Sequence, residues 1–578
     1  MTIRSEEFDD IYFSPEDGVA ETEYVFLRGN NLPQNWLNKD HFTIAETGFG
    51  TGLNFFVAWD MFEQAASPQQ SLHFVSFEKF PLTPEVIKDA LSPWAARFGD
   101  KIDALIKHYP LRIKGWHRLN IAPQITLTLI FDDINNAIPE LNLPIDAWFL
   151  DGFAPSKNPQ MWDEPLFSAM RRCAHSETTA ATFTAAGFVK RSMRDAGFDV
   201  KKDKGFGRKR DMLVATFSEE ETAPHTPITK APPQNIAIIG GGLGGTAAAH
   251  FLAQAGHKIT LFEKENSLAA KASGNARGLY NPRFRKQYDT ESIFYSSAYA
   301  VAYRTFKNIG ADIDFTPCGA MHLLNNEQKQ DRLPATKENW DWHDDHMRLI
   351  STADSEACCG IDLPHDALYL ADSGFVSPHK LCHAFSANIN IKLGIDNIDY
   401  AAYDAVILAT GADFADFPEL EPLNLHTVRG QITSLKAPDN VALNTVLCYG
   451  GYTTPANDGE IICGSSFQRW RDDTDLDPQD NIDNLAMLNA VLPKDQHIDQ
   501  SQITGARTAL RTAARDHFPI IGHLRDNLYV STAHGSHGLL SSIMGGIILS
   551  EIISYNGASA LPQNVLKKLS PQRFTHTK

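Results

Sequence analysis

The chain has 578 residues, 43% hydrophobic and 21% charged, with 52 Lys and Arg against 70 Asp and Glu for a formal net charge of −18. That length exceeds one hydrophobic core and calls for two or three domains, and the acidic balance excludes a protein that coats nucleic acid indiscriminately while leaving room for a local basic patch. No apolar run approaches the roughly 20 residues of a membrane span, MTIRSEEFDDIYF holds no hydrophobic signal core, and seven scattered cysteines without a CxxC pair read as reduced thiols, so a cytoplasmic protein without membrane attachment is expected.

The first patterned stretch is HFTIAETGFGTGLNFFVAW, His41 to Trp59, a strand, a glycine turn and a helix. Its E-x-G-x-G-x-G run, Glu46, Gly48, Gly50 and Gly52, lacks the spacing suited to a pyrophosphate. It resembles the first motif of class I S-adenosylmethionine-dependent methyltransferases, in which the methionine part of the cofactor lies against the glycines. The elements such a fold needs follow in order. HFVSFEKF, His73 to Phe80, reads as an alternating strand ending in Glu78, placed for the ribose hydroxyls. LTLIFDD ends in Asp132 and Asp133, either of which would meet the adenine amine. AWFLDGFAPSKNPQMW, Ala147 to Trp162, is an apolar strand that ends at Asp151 and enters a proline-rich loop. Open α/β sheets bind ligands at the carboxyl ends of their strands, and all four acidic positions are expected there.

Asp151 to Trp162 is assigned to the methyl acceptor, where amino-group methyltransferases carry a D/N-P-P-Y/F loop. Asp151 would accept a hydrogen bond from an amine, with Phe153 and Trp162 walling the site; the bland reading is a strand followed by a surface loop. Phe188 to Arg210 carries nine Lys or Arg against three Asp. Within it Lys190, Arg191, Lys201, Lys202 and Lys204 are candidates for a phosphate backbone, against a solvated helix and hairpin face. Ser218 to Pro233, with four prolines and an acid run, has the composition of a linker. Residues 1–217 are therefore expected to be one domain, 218–233 the linker and 234–578 the rest.

The second half opens on IAIIGGGLGGTAAAHFLAQAGHKITLFE, Ile236 to Glu263. Gly240, Gly242 and Gly245 fit GxGxxG between a strand and a helix, and Glu263 ends the next strand. The glycines would allow the turn, the approach of a pyrophosphate and helix–strand packing, and Glu263 would bind a ribose hydroxyl. ASGNARGLYNP, Ala272 to Pro282, resembles the loop that flavoproteins of the D-amino-acid-oxidase and glycine-oxidase type fold over the flavin, with Ser273, Gly274 and Asn275 nearest. YDAVILATGA resembles their later nucleotide-side strand. Trp340 to His346 contains His343 and His346, read as an exposed polar helix and not a metal site, since no third ligand is placed. RTAARDHFPIIG and NLYVSTAHGSHGLLSSIMGG resemble the closing pattern of the same flavoproteins, with a helix starting near Gly538 and aimed at the flavin. Arg511 matches by position the arginine that clamps a substrate carboxylate, with Arg507 and Arg515 close enough to be confused with it. The usual GSRGL string is here GSHGL, so His537 replaces an arginine, a loss for which Arg283 is a candidate compensator.

ETGFGTGLNFF, DGFAPSKNPQMW and FTAAGFVKRSMRDAGF together resemble the MnmC family of bifunctional tRNA 5-methylaminomethyl-2-thiouridine biosynthesis proteins, and the likeness runs through nearly the whole chain. It implies an α/β chain: a Rossmann-like class I methyltransferase domain, then an FAD-binding Rossmann domain with an α+β substrate subdomain. The implied cofactors are S-adenosyl-L-methionine and FAD, and the implied partner is tRNA, with no obligate protein partner. The implied work is oxidation of a carboxymethylaminomethyl uridine to the aminomethyl form, then methylation of the freed amine. The competing reading is a fused small-molecule amino-acid oxidase and N-methyltransferase.

Overall fold

A computed structural model of the chain describes residues 4–5, 10–11, 17–219, 223–438 and 441–574. Most of the leading stretch read for a signal core lies outside the described residues, as do residues 220–222 of the proline-rich segment. The chain forms two compact units, Met1–Ala231 with Ile553–Asn564, and Pro232–Ile552 with Val565–Lys578.

Unit 1 is built on an eight-stranded sheet. From edge to edge its strands are Gly115–Ala122, Ile125–Phe131, Ser71–Glu78, His41–Glu46, Ala147–Phe149, Thr179–Thr182, Asp211–Phe217 and Phe198–Lys204. The five from Ile125–Phe131 to Thr179–Thr182 pair in parallel, and the outer pairings are antiparallel. The alternation expected in His73–Phe80 does not appear: the strand is Ser71–Glu78, buried at every position before Glu78. A central parallel strand covered on both faces has no solvent side to be polar for. Phe74 meets Phe55 of the helix Leu53–Ala65 edge-on at 5.4 Å and Phe149 of the neighbouring strand at 5.9 Å. That helix starts directly after Gly52, whose φ of +81° only glycine adopts without strain.

The proline-rich segment is laid against unit 1 and not left as a free tether. His225 N donates to Ala174 O, Ala231 N donates to Ser554 O, and Ile228 is buried. The returning segment 553–564 adds Tyr555, stacked obliquely on His41 at 4.5 Å, and Asn556, bonded to Thr229.

Unit 2 has a six-stranded sheet in the order Asn390–Leu393, Lys258–Glu263, Asn235–Ile239, Ala405–Leu408, Leu528–Thr532, Ile520–Arg525. All pairings are parallel except the last. Its first strand, Asn235–Ile239, lies between Lys258–Glu263 and Ala405–Leu408, so the topology reverses at the carboxyl ends of Ile239 and Leu408, where α/β sheets open a crevice. A mixed eight-stranded sheet, including His426–Lys436 paired with Ile503–Ala513, forms the second layer of the unit.

Two expectations change here. The helix Glu327–Trp340 is followed by a turn at Asp341, and the stretch to His346 is a core anchor, not an exposed helix: Trp340 and Trp342 are 0% and 1% exposed, their rings 5.3 Å apart. His343 points outward beside Asp345, and His346 bonds Asp372 at 2.7 Å. The run Gly535–Ser554 is long and apolar enough to cross a membrane by length and composition, with mean hydropathy 1.4, yet 72% of it is buried inside the protein. Glycines and serines interrupt its apolar residues in the sequence. In the fold Ser541 and Ser542 bond backbone carbonyls one turn back, and Gly546 packs on the backbone of Ala247.

Candidate active sites

In unit 1 the strands His41–Glu46 and Ala147–Phe149 are neighbours with opposite onward connections, and a cavity of about 720 Å³ opens at their carboxyl ends. Gly48, Gly50, Glu78, Asp132, Asp133, Asp151 and Phe153 all line it. Glu78 closes the glycine loop: its Oε2 accepts from Gly50 N at 2.8 Å and its Oε1 from Phe80 N at 2.8 Å. Burial raises its carboxyl above the usual glutamate range, opposed by those N–H donors. Asp133 caps a short helix through Asn135 N at 3.0 Å and pairs with Lys79 at 3.0 Å; Asp132 pairs with Lys114 at 3.1 Å.

Two expected residues stand elsewhere. Glu46 is fully buried beneath the cavity and not part of its lining, held by Ser76 Oγ at 2.6 Å and Asn54 Nδ2 at 2.8 Å. Trp162 is 2% exposed and also absent from the lining; its Nε1 donates to Phe153 O at 3.3 Å, so it braces the loop that carries Phe153. Gly52 serves the helix start and does not face the cavity.

Asp151 sits at the centre of a bonded chain. Asn54 Nδ2 donates to its Oδ2 at 2.6 Å and Gly152 N to its Oδ1 at 2.8 Å. The same Asn54 amide reaches Glu46, while its Oδ1 accepts from Thr22 Oγ1 at 2.6 Å. Burial pushes the Asp151 carboxyl up to about 6, against the lowering effect of the Gly152 and Asn54 donors. Asn54 carries this arrangement and sequence reading missed it. Its position eight residues after Glu46, second in the helix, was the available signal.

The basic segment divides. Lys201 pairs with Asp199 at 3.0 Å and Lys202 with Asp211 at 2.9 Å, on an edge strand away from the cavity lining. Lys204 and Arg191 are exposed and Lys190 half-buried, none of them in the lining. The residues of this segment that do reach the cavity are Phe206 to Lys209. Lys209 Nζ lies 4.2 Å from the Phe183 ring and 2.9 Å from Glu21.

In unit 2 a cavity of about 990 Å³ is lined by Gly240, Gly242, Glu263, Ser273, Asn275, Arg511, His537 and Gly538 among others. Glu263 Oε2 accepts from Gly241 N at 2.6 Å, and Ser273 Oγ accepts from Leu243 N at 3.0 Å, at the first turn of the helix Leu243–Gln254. Gly245 lies behind the loop, where a Cβ would overlap the Gly240 carbonyl oxygen; Gly274 is likewise behind, against Arg507. Arg507 holds the 270–275 loop through Asn275 Oδ1 at 2.8 Å and the carbonyl of Lys271, which separates its work from that of Arg511.

Among the described residues, five polar atoms of the lining side chains are buried without a hydrogen-bond partner: Thr410 Oγ1, Thr512 Oγ1, Thr532 Oγ1, His322 Nε2 and Arg511 Nη1. A polar ligand would satisfy them, and with the glycine turn and Glu263 they fit a flavin dinucleotide. Arg511 extends from the strand Ile503–Ala513 and lines the cavity, with Nη2 bonded to Ser465 Oγ and Nη1 buried beside Gly430 without a hydrogen-bond partner among the described residues. His537 is half-buried, its imidazole held down to about 4 by desolvation and then by Arg283, so it is neutral at pH 7 and does not supply the charge of the arginine it replaces. Arg283 bonds His517 O at 2.8 Å and lies 3.5 Å from Glu291, outside the lining, and so is not a substitute clamp within the cavity.

Comparisons with known proteins agree with this division. The family of FAD dependent oxidoreductases matches residues 235–552, and a family of S-adenosyl-L-methionine-dependent methyltransferases matches residues 96–218. The chain is 36% identical over 603 residues to the tRNA 5-methylaminomethyl-2-thiouridine biosynthesis bifunctional protein MnmC of Idiomarina loihiensis, covering 98% of this chain and 96% of the relative. Its identity to the same-named protein of Methylobacillus flagellatus is 34% over 618 residues, covering 99% and 94%. Among solved structures, L-proline dehydrogenase from P. horikoshii matches with a TM-score of 0.50 and 17% identity over 60% of this chain and 99% of that one, a likeness of fold.

Proposed function

We infer the function from the premise that the chain belongs to the MnmC family of tRNA 5-methylaminomethyl-2-thiouridine biosynthesis bifunctional proteins. It is a bifunctional tRNA modification enzyme. Its FAD-dependent unit converts 5-carboxymethylaminomethyl-2-thiouridine to the aminomethyl form, and its S-adenosyl-L-methionine-dependent unit methylates that amine. The order is chemical, because the methyl group goes onto the nitrogen that oxidation frees. A tRNA substrate also supports action in the cytoplasm.

One observation carries the reading to particular residues: each unit holds its own nucleotide-sized cavity, with Asp151 in the lining of one and Arg511 in the lining of the other. In unit 2 the turn at Gly240 and Gly242, Glu263, Ser273 and the start of the helix at Gly538 would hold FAD. Bound there, FAD supplies the two-electron acceptor for oxidation of the glycyl C–N bond. Arg511 clamps the carboxylate of the N-substituted glycine, a planar guanidinium on a planar carboxylate. His537 and His534, which line the same cavity, are both lowered to about 4 by burial and add no charge at pH 7. Water then hydrolyses the oxidised C–N bond, releasing glyoxylate and the primary amine.

In unit 1 Gly48, Gly50, Glu78 and Asp132 or Asp133 would hold S-adenosyl-L-methionine, which supplies the methyl group. Asp151 accepts an N–H of the incoming amine, directing the lone pair and stabilising the positive charge that grows on nitrogen as the bond forms. Asn54 and Gly152 hold the carboxylate still.

Mass analysis of nucleosides after incubation with tRNA bearing the carboxymethylated base tests both halves. Asp151→Ala should accumulate the aminomethyl nucleoside, and Arg511→Ala should leave the carboxymethyl form. Equal turnover of a free N-substituted glycine with and without tRNA would instead favour the small-molecule reading.

A further inference from the structure

The helix Glu327–Trp340 brings a second group of cations to the unit 2 cavity. Lys329 lines it, and Arg332 follows one turn later on the same face of the helix. The hydrogen bond of Lys329 Nζ goes to the neutral Asn325 Oδ1 at 2.9 Å, and Arg332 Nε is buried with no partner. Among the described residues neither side chain is paired with a carboxylate. Both lose basicity to burial, and the charges acting on Arg332, His322 and His537 include one another's neighbours: Arg283 acts on Arg332 and His537, while Lys329 and Arg332 act on His322. Glu291, the acid beside Arg283, is shared by Arg283 at 3.5 Å, Arg285 at 3.0 Å and Lys568 at 2.7 Å.

A chain with a net charge of −18 has acids to spare, yet among the described residues Lys329 at this wall and Arg332 one turn behind it, both half-buried, have none. Half-buried unpaired charge is costly, and an anionic ligand removes the cost. The substrate carboxylate already has Arg511, on a different element, and a dinucleotide pyrophosphate has the glycine turn and the first turn of the helix Leu243–Gln254. On the reading of unit 2 as a tRNA oxidoreductase, from which this inference starts, the remaining anions of the substrate are its phosphodiesters. We propose that Lys329 and Arg332 bind the RNA backbone phosphates flanking the nucleoside that enters the unit 2 cavity. Phosphate contacts of this kind fix position without reading sequence. They make the cavity selective for a nucleotide within RNA over the same nucleoside free in solution.

The test compares two substrates in the FAD-loaded full-length enzyme: tRNA bearing the carboxymethylaminomethyl base, and that nucleoside alone, which has the carboxylate but no phosphate. In Lys329→Gln, Arg332→Gln and the double variant, kcat/KM for tRNA should fall relative to that for the nucleoside, by about tenfold or more in the double variant. The magnitude of the slope of log KM for tRNA against log salt should shrink by about one per cation removed. Lys329→Arg should retain most of the tRNA preference. Flavin absorbance and the thermal transition identify any variant that has lost its fold, in which case the other single variant decides. An unchanged ratio and salt slope would overturn the proposal. So would an equal fall for both substrates, which would make the pair a carboxylate clamp. If the unaltered enzyme oxidised neither substrate, the parent reading would fail, and the salt dependence of tRNA binding in the variants would still judge the phosphate contact.

Discussion

At the scale of single residues, the proposed methyl-acceptor role falls to one carboxylate whose protonation falls within working pH. Asp151 is raised to about 6 by burial, so it is ionised at pH 7 and becomes protonated as the pH drops through that value. A protonated carboxyl no longer accepts the amine N–H with charge behind it. The acceptor amine contributes its own loss of rate on acidification. Single-turnover methyl transfer should therefore fall with a slope of about one in log rate per pH unit near neutrality and about two below about pH 6. Asp151→Asn should be slower by about 100-fold and keep the single slope throughout. The same shift bears on stability. A carboxyl raised in the folded state contributes stability that is complete below the ordinary aspartate range and is lost as pH rises through about 6. Asp151→Asn should accordingly raise the melting temperature of unit 1 at neutral pH and not at low pH. Asp151 and Arg511 were named from their places in motifs, and each lines a cavity. Glu46 and Trp162 were misread because a motif gives position along the chain, while burial decides whether a side chain faces a cavity or the core beneath it.

At the scale of elements, both cavities lie where a parallel sheet reverses its order, and both depend on a backbone turn that keeps the following helix close to its strand. Gly245 shows the dependence most sharply. A Cβ there would overlap the carbonyl oxygen of Gly240, forcing the helix Leu243–Gln254 away from the strand Asn235–Ile239. Gly245→Ala should destabilise unit 2 by about 1–3 kcal/mol, the usual cost of overpacking. Moving the helix N-terminus should also lower the flavin content of the purified protein, and thermal shift with flavin fluorescence measures both. The strands were readable where they are apolar and bounded by glycine. The all-buried pattern of Ser71–Glu78 was not, because a polar residue such as Ser76 looks solvent-facing until its partner Glu46 is placed behind it.

At the scale of the whole molecule, the chain visits unit 1 twice: after running through unit 2 it returns for residues 553–564. Tyr555 stacks on His41, whose imidazole is lowered to about 4 by burial and so stays neutral at pH 7. Asn564 N donates to Glu140 at 3.0 Å. Tyr555→Ala should lower the melting transition of unit 1 by about 1–2 kcal/mol of stability while the flavin-linked transition of unit 2 stays in place, as separate probes by circular dichroism and flavin fluorescence would report. No local pattern announces this return, which joins residues more than 500 positions apart.

By itself the sequence determined the two cofactor-binding halves and their order, because those depend on short strings whose backbone geometry is local. The tertiary structure decided which marked side chains reach a cavity, that Asn54 joins Glu46 to Asp151, that Lys329 at a cavity wall and Arg332 behind it have no carboxylate partner among the described residues, and that residues 553–564 complete unit 1. Each of these is a relation between distant segments, settled by which surfaces are driven out of water together, and no stretch of sequence records its partner's address.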